Sequence, residues 1–105
     1  MTRYLAVAIS AFLLPAVAWA EAITIRMQDG DYTPNKIEAR IGDTLVFVND
    51  DVMDHEVFVP TEGHGVDLGK QVPAATTELP LGKAGSFDVE CVFHPQMLLQ
   101  VHVRP

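Results

Sequence analysis

One short segment carries three side chains that are typical metal ligands. Within Cys91-Val92-Phe93-His94-Pro95-Gln96-Met97, the only cysteine of the sequence, a histidine and a methionine have the spacing C-x2-H-x2-M. A thiolate, an imidazole and a thioether this close in the chain can face one ion, and soft sulfur ligands with imidazole select copper or zinc. A His2Cys set with a weak, long axial methionine bond is the ligand set of electron-transferring blue-copper sites. The segment supplies three of those four ligands, so a second histidine must come from elsewhere.

His55 is the best candidate for that second histidine, because it starts an apolar segment that reads as a strand. Taken alone, a histidine in this position is more often a solvated turn residue, and the segment around Cys91 is what favours ligation. His64 lies between glycines and is interpreted as a surface residue. His102 alternates with valines, so we expect it to face outward on the last strand. Met53, like Met27, is interpreted as a packing residue.

The lone cysteine has an alternative interpretation. Small exported domains usually carry an even number of cysteines in disulfides, and a single cysteine cannot form a bridge within the chain. A buried, inert Cys91 would be the ordinary explanation for an isolated thiol. Because His94 and Met97 share its segment, the sequence favours metal ligation.

The first twenty residues, 1–20, have the pattern of a cleaved secretory signal. A short n-region contains Arg3, an apolar stretch follows, and Ala18-Trp19-Ala20 is an A-x-A cleavage site. The predicted mature chain, 21–105, is long enough for one domain with a modest core and contains no segment apolar enough to span a membrane. The whole chain has a formal net charge of −7. This acidity excludes binding to nucleic acid through phosphates and favours a basic protein partner.

The remaining pattern predicts an all-β domain. Short alternating or β-branched segments are separated by Gly, Pro and Asp turns, with almost no helical period, which is typical of a β-sandwich or small barrel. A sandwich gathers strand ends at two poles, so Cys91 at the end of one strand and His55 at the start of another can meet. Residues 61–77 are expected to form a long surface connection with at most one short strand or turn. Residues 32–35 are expected to form a bend. The predicted strands are 23–27, 36–41, 44–49, 55–59, 86–91 and a last one through 99–103.

These residues resemble the cupredoxin family of small blue copper proteins. The first half matches its F-x-P-x-x-I…G-D-T-V-x-F-x-N-x-D…H pattern, and the second half its G-x-Y/F…C-x-x-H-P-x-M pattern. The short second motif is most similar to that of amicyanins, and the chain as a whole resembles the amicyanin and plastocyanin-like members. The matching positions are Tyr32-Thr33-Pro34, Ile37, Gly42-Asp43-Thr44, Phe47, Asn49-Asp50, His55, Gly85-Ser86-Phe87, Cys91, His94-Pro95 and Met97.

The resemblance implies a Greek-key β-sandwich that binds one type 1 copper ion through His55, Cys91, His94 and an axial Met97. It implies a monomeric periplasmic protein that carries single electrons and is not an enzyme. The implied docking surface surrounds His94, with Pro95 and Leu98. Amicyanins take electrons from methylamine dehydrogenase and pass them to a c-type cytochrome, so a periplasmic dehydrogenase or a c-type cytochrome is the implied class of partner.

Two alternative functions remain open at the level of sequence. One is a periplasmic copper carrier or sensor with the same ligands, which would be favoured by further exposed Met or His residues. The other is a zinc-bearing or metal-free β-sandwich that works by protein contact, since zinc gains nothing from Met97.

Three positions depart from the family pattern, and one of them is Leu99, which lies two residues after Met97 where the family has Gly. Glu56 follows the first histidine where the family usually has Asn, and Val92 follows the cysteine where it has Ser or Thr. The usual hydrogen-bonded link between the two ligand segments is therefore missing in its usual form, and such links tune the metal. If Asp54 and Glu56 lie near the metal, their charges should favour Cu(II) and lower the potential. The acidic cluster of Asp50, Asp51, Asp54 and Glu56 is otherwise interpreted as a solvated loop or a docking patch.

Overall fold

Two β-sheets packed face to face form a β-sandwich, which confirms the predicted fold class. The structure, a computed structural model, describes Arg3, Ala6 and residues 19–105. In these residues the chain forms nine strands and no helix. The strands are β1 (Ala22–Gln28), β2 (Asp31–Thr33), β3 (Lys36–Arg40), β4 (Thr44–Asn49), β5 (His55–Val59), β6 (Val66–Gln71), β7 (Thr76–Pro80), β8 (Gly85–Cys91) and β9 (His94–Arg104).

The strand order brings distant parts of the chain side by side. One sheet has the order β2-β1-β4-β7, and the other has the order β3-β9-β8-β5-β6. The pairs β1–β4 and β3–β9 are parallel, and the other pairs are antiparallel. Because β5, β8 and β9 are neighbours in one sheet, the predicted ligands of both halves of the sequence come from adjacent strands.

The core lies between the sheets and follows the period-two alternation of the strands. Phe47 and Leu45 face inward from β4, and Leu99, Val101 and Val103 face inward from β9, as their alternation predicts. His102 on the same strand is exposed, which confirms its predicted orientation. The other fully or nearly fully buried apolar residues are Ile25, Met27, Tyr32, Ala39, Val57, Val59, Leu81, Phe87, Val89, Cys91 and Met97.

Residues 61–77 are more regular than the sequence indicates. They contain all of β6, which pairs with β5, and the start of β7, which pairs with β4. Gly69 lies in β6 at a register shift opposite Val57 and has a φ of 78°, a backbone conformation that glycine adopts at no steric cost. The glycine-rich composition of this segment therefore belongs to a bulged edge strand, β6. Its pairing with β5 cannot be predicted from the local sequence.

Two further boundaries differ from expectation. Residues 31–33 form the short strand β2, so only the second half of the bend predicted at 32–35 is a bend. The last strand begins at His94, so the segment predicted as a ligand loop is mostly strand, with Val92 and Phe93 as the turn. The prediction that His55 starts one strand and Cys91 ends another is confirmed.

The predicted signal peptide lies outside the described residues, apart from Arg3, Ala6, Trp19 and Ala20. Trp19 and Ala20 are exposed and belong to no strand. Over the residues that the structure describes, no helix has the length and hydropathy needed to cross a bilayer.

Candidate metal centre

Three predicted ligands meet at one end of the sandwich. The Sγ atom of Cys91 lies 3.6 Å from Nδ1 of His55 and 3.7 Å from Nδ1 of His94. The three donor atoms all lie within 4.8 Å of one another. The two imidazole rings are tilted by 50° with centroids 4.9 Å apart, and each ring presents the same nitrogen to the sulfur. We call the end of the sandwich that carries these residues and Met97 the donor end.

The separations fit a metal ion bound by all three atoms. Metal–sulfur and metal–nitrogen bonds of about 2.3 and 2.0 Å, at angles between tetrahedral and trigonal, place sulfur and nitrogen roughly 3.5–3.7 Å apart. The S···N distances of 3.6 and 3.7 Å agree with that range. A thiolate with two imidazoles is also a donor set that suits copper, so the residues fit the metal that the sequence implies.

Met97 lies close to these three residues. It sits on β9, three residues after His94, and its side chain is fully buried. A buried thioether beside a thiolate and two imidazoles is the arrangement expected of a weak fourth ligand. Its position in the core also makes it a packing residue, so its removal has structural as well as chemical consequences.

A bulged hairpin brings Cys91, His94 and Met97 together. Cys91 is opposite His94 across the two-residue turn, whereas its neighbour Glu90 is opposite Leu98. The three intervening residues of β9, 95–97, therefore have no partner of their own on β8 in this register. Bulges bend a strand and re-aim its side chains. This bulge allows both His94 and the buried Met97 to lie close to Cys91.

A main-chain hydrogen bond joins the two ligand-bearing strands. The Val92 N–H donates to the Glu56 carbonyl oxygen at 3.1 Å, and Val57 is paired with Cys91. The side-chain link of the family is absent from these two positions, as the sequence predicts, but their backbone connects them. Because main-chain bonds do not depend on side-chain identity, Glu56 and Val92 are compatible with a rigid site.

Asp51 is a functional residue that sequence reasoning missed. Its carboxylate, 7% exposed, accepts a 3.0 Å hydrogen bond from Nε2 of His55 and further bonds from the backbone N–H groups of Gly30 and Val52. The Gly30 N–H, followed by His55, lowers the pKa of the Asp51 carboxyl below its usual value. An ionised carboxylate only accepts, so Nε2 of a neutral His55 ring carries the proton and Nδ1 turns its lone pair towards Cys91.

The interpretation of the whole acidic cluster as solvated is therefore wrong for Asp51. One feature of the sequence could have indicated this role of Asp51: it lies four residues before His55, just after a core strand. Asp54 and Glu56, expected to influence the metal, are both half-buried. Asp54 pairs with Lys70 at 3.1 Å.

A buried amide fixes the loop that carries Asp51. Asn49, 1% exposed, donates through Nδ2 to the carbonyl oxygens of Met53 and Gln71, both at 2.9 Å. Its Oδ1 accepts the Asp51 N–H at 2.9 Å. Both polar atoms of this amide therefore contact the segment between β4 and β5 or the adjacent end of β6. The loop has one preferred conformation, and that conformation holds the carboxylate against His55.

Tyr32 connects the opposite sheet to the strand of the cysteine. Its hydroxyl donates to the Glu90 carbonyl oxygen at 2.8 Å, and its ring lies edge-on to Phe47 at 6.0 Å. Burial, with the nearby charges of Cys91 and Glu90, raises the pKa of the phenol, so Tyr32 is a neutral donor. The bond fixes the backbone immediately before the sulfur.

The remaining histidines lie away from the donor end. His64 stacks on Phe87 with centroids 5.2 Å apart, and it is half-buried rather than freely exposed as expected. His102 contacts the Ser86 hydroxyl at 2.8 Å through Nδ1. Met53 is 39% exposed, so its interpretation as a packing residue is wrong.

Exposed apolar side chains concentrate at the donor end. Val52 and Met53 precede β5, Val92 and Phe93 form the turn after β8, and Leu98 follows the bulge. Phe93 and Val92 are about half exposed, at 51% and 50%. His94 is half-buried and Pro95 is exposed in the middle of this group. The donor end therefore combines three buried predicted ligands and the half-buried His94 with an apolar outer surface. We call this surface the donor-end patch (Val52, Met53, Val92, Phe93, His94, Pro95 and Leu98).

Comparisons with known proteins agree with this architecture. The model of the cupredoxin-like domain family matches residues 3–101. The methylamine utilization protein MauL of Methylorubrum extorquens (strain AM1) is 31% identical over 107 residues, which cover 98% of this chain and 90% of that protein.

Solved structures show the same fold. A reduced form of amicyanin, in a mutant with tyrosine in place of a tryptophan, matches with a TM-score of 0.74 and 25% identity, covering 85% of this chain and 87% of that one. A copper-containing nitrite reductase from Thermus scotoductus SA-01 matches with a TM-score of 0.73 and 23% identity, covering 79% of this chain but 22% of the enzyme, and it supports the fold alone.

The family match spans nearly the whole chain, and the four predicted ligands lie close together in the structure. The chain therefore belongs to the cupredoxin-like family, and within that family it is a type 1 copper electron carrier similar to amicyanin.

Proposed function

We propose that His55, Cys91, His94 and Met97 are the ligands of the single copper ion. The convergence of two imidazole Nδ1 atoms on one buried thiol sulfur, at 3.6 and 3.7 Å, is the observation that carries this assignment. Met97 would supply the weak fourth donor, since its thioether lies close to the other three residues. When bound, copper supplies a one-electron couple between Cu(I) and Cu(II).

The protein's own contribution is to hold these donors still. Asp51 fixes the His55 ring, Tyr32 and the β5–β8 pairing fix the backbone beside Cys91, and β9 carries both His94 and Met97. If the ligands are held in fixed positions, their geometry changes little when the metal gains or loses an electron. We infer that the sandwich holds them in this way.

The ligand assignment is tested by reconstituting residues 21–105, which contain all nine strands, with Cu(II). We expect an intense visible band from the thiolate–copper bond, bleached by reductant and absent from Cys91→Ala. Leu98→Ala, at an exposed site on the neighbouring strand, is the matched control and should keep the band. A coloured Cys91→Ala protein would contradict the ligand set. A colourless wild-type protein would favour the zinc or contact-module alternative.

Electrons leave and enter through the donor-end patch. His94 is the ligand that reaches this surface, and Pro95 and Leu98 lie beside it in the chain with Phe93 before them. An exposed apolar group of this kind around a metal ligand permits close, short-lived contact with another protein. We therefore assign His94, Pro95 and Leu98 to partner docking.

The partner is a redox protein with a basic docking face, such as a c-type cytochrome or a periplasmic dehydrogenase. Glu56 and Glu90, beside two of the ligands on the strands next to the patch, take part in none of the ion pairs of residues 19–105. Together with the net charge of −7, they favour approach by a positive surface.

Stopped-flow reduction of the copper protein by a basic and by an acidic c-type cytochrome tests this. We expect the rate with the basic cytochrome to fall as salt increases, and to fall at low salt in the Glu56→Gln/Glu90→Gln protein. A rate that does not depend on salt with the basic cytochrome would contradict charge-guided docking.

We further propose that the protein works in the periplasm as an electron carrier and not as an enzyme. The predicted leader, 1–20, supports export, and four side chains close to one another leave the metal no open position for a substrate. A copper carrier or sensor with the same ligands would bind Cu(I) and exchange it with a chelator faster than it exchanges electrons. Comparison of those two rates separates the two functions.

A further inference from the structure

A second buried carboxylate lies at the end of the sandwich opposite the donor end. Asp43, in the turn between β3 and β4, is 6% exposed. Its Oδ1 accepts the backbone N–H of Glu21 at 2.9 Å, and its Oδ2 accepts the backbone N–H of Arg40 at 2.8 Å. These two bonds, the one from Glu21 first, lower the pKa of the Asp43 carboxyl, so it carries a negative charge at neutral pH.

Both main-chain polar groups of Glu21, its N–H and its carbonyl oxygen, form hydrogen bonds with the sandwich. Its N–H donates to Asp43, and its carbonyl oxygen accepts the Thr44 N–H at 2.9 Å. The parallel pairing of β1 with β4 starts at the next residue, Ala22, opposite Thr44. Trp19, 82% exposed, and Ala20 lie outside this pairing. Within residues 19–105, the amide nitrogen of Glu21 is thus the first main-chain group that is hydrogen-bonded to the sandwich. The sequence predicts that the signal peptide is cleaved at the Ala20–Glu21 peptide bond, to which this nitrogen belongs.

We propose that the Ala20–Glu21 bond is the processing site and that Asp43 is a binding site for the α-ammonium group that processing creates. Hydrolysis by an exported peptidase adds one water across the bond. Ala20 leaves with a carboxylate, and the Glu21 nitrogen gains two protons. The Asp43 carboxylate, already 2.9 Å from that nitrogen, then faces a full positive charge.

The gain in stability comes from the change of charge and not from a new contact. A neutral amide already donates to Asp43, whereas an ammonium donates a charge-assisted bond about twice as strong. Asp43 and Glu21 line a surface hollow together with three other charged residues, Arg40, Arg104 and Glu38. Arg40 opposes an ammonium, whereas Arg104 and Glu38 pair with each other at 3.1 Å. The Asp43 carboxylate, in hydrogen-bond contact with the Glu21 nitrogen, therefore makes the interaction with an ammonium favourable.

The experiment starts from the full chain exported in a bacterial host. We expect the intact mass of the periplasmic product to correspond to residues 21–105, and a product that starts elsewhere would overturn the processing site. Residues 21–105 are then compared with residues 20–105, which keep the Glu21 amide but move the charge one residue away. In denaturant titrations of the metal-free proteins, we expect the unfolding equilibrium constant of residues 21–105 to be about fivefold smaller.

Asp43→Asn, introduced into both lengths, completes a double-mutant cycle. The difference between 21–105 and 20–105 should disappear in the Asp43→Asn pair, because an amide offers no charge to the ammonium. Equal stability of the two wild-type lengths would overturn the binding site for the ammonium, even if Asp43→Asn does not fold. Both measurements use metal-free protein, so they are independent of the copper assignment, and only the expectation of export is shared with the proposed function.

Discussion

The two ends of the sandwich each contain a buried carboxylate, and the two carboxylates do different work. Asp51 at the donor end and Asp43 at the opposite end both accept backbone N–H groups, which come first among the causes that lower the pKa of each carboxyl. Among the residues that the structure describes, the Asp43 carboxylate has hydrogen bonds to main-chain groups only, whereas the Asp51 carboxylate also accepts the Nε2 proton of His55. One carboxylate therefore secures a turn and the start of a strand, and the other also orients a proposed metal ligand.

The difference shows how a carboxylate that stabilises a turn can also take part in a redox site. Both carboxylates stabilise a local backbone conformation, which any β-sandwich needs at its strand connections. A single additional contact with the imidazole of His55 would connect the Asp51 charge to a metal bound by that ring. Substitutions at the two ends should therefore separate effects on folding from effects on the metal.

The largest effect is expected for Met97→Ala, compared with Leu99→Ala two residues further along β9. Both side chains are fully buried, so each truncation should cost about 2–5 kcal/mol of unfolding free energy in the metal-free protein. Met97→Ala alone should also change the reduction potential, because only Met97 is a ligand in our assignment. Denaturation and protein-film voltammetry measure the two effects. A potential that moves equally in both variants would remove the special role of Met97.

Asp51→Asn should raise the reduction potential, whereas Asp43→Asn should leave it unchanged. Cu(II) carries one more positive charge than Cu(I), so removing a negative charge that contacts a ligand favours the reduced form. A tenfold change in the redox equilibrium, or about 59 mV for one electron, is the expected size. If both variants keep the wild-type potential, the Asp51 carboxylate has no more influence on the metal than the Asp43 carboxylate, and its proposed role at the metal site is wrong.

Acid should destabilise the metal-free protein through both ends. The folded pKa values of Asp43 and Asp51 are lowered, so the stability that each contributes is present above the unfolded value of about 3.9 and is lost as pH falls through the folded value. Asp43→Asn and Asp51→Asn should each make the stability less dependent on pH below about 4. Urea titrations from neutral pH into the acid range measure this, and an unchanged slope in either variant would contradict the role of that carboxylate.

The smallest effect is expected for Glu56→Gln. Glu56 is half-buried beside His55, but its side chain is absent from the hydrogen bonds of residues 19–105. Solvent screens its charge, so the potential should rise less than in Asp51→Asn. A larger shift than that of Asp51→Asn would show that proximity along the chain matters more than the hydrogen bond to the ligand ring.

Most of the fold could be predicted because alternation of side chains records which face of a strand is buried. Leu99, Val101 and Val103 show the period directly, and so do Phe87, Val89 and Cys91. The strand β6 could not be predicted from its composition. It is an edge strand with a glycine bulge, and its regularity comes from pairing with β5, a contact that local sequence does not encode.

The candidate ligands were accessible from sequence because their chemistry is rare and closely spaced. Cys91, His94 and Met97 lie within seven residues, and one thiol in an exported domain already calls for an explanation. Asp51 was not accessible, because a carboxylate in a run of acidic residues has the composition of a solvated loop. Its burial depends on the Gly30 N–H from another strand connection and on the Asn49 bonds that fix the loop.

The sequence by itself determined the donor types, their order along the chain and the alternation that makes a β-sandwich. These properties depend on residue identity and on the two-residue period of a strand, and both are local. Only the tertiary structure decided that the two Nδ1 atoms face one sulfur, that a backbone hydrogen bond joins Val92 to Glu56, and that Asp51 and Asp43 occupy opposite ends. Those features depend on strand pairing between residues far apart in the chain, whose register is set by the packed core as a whole.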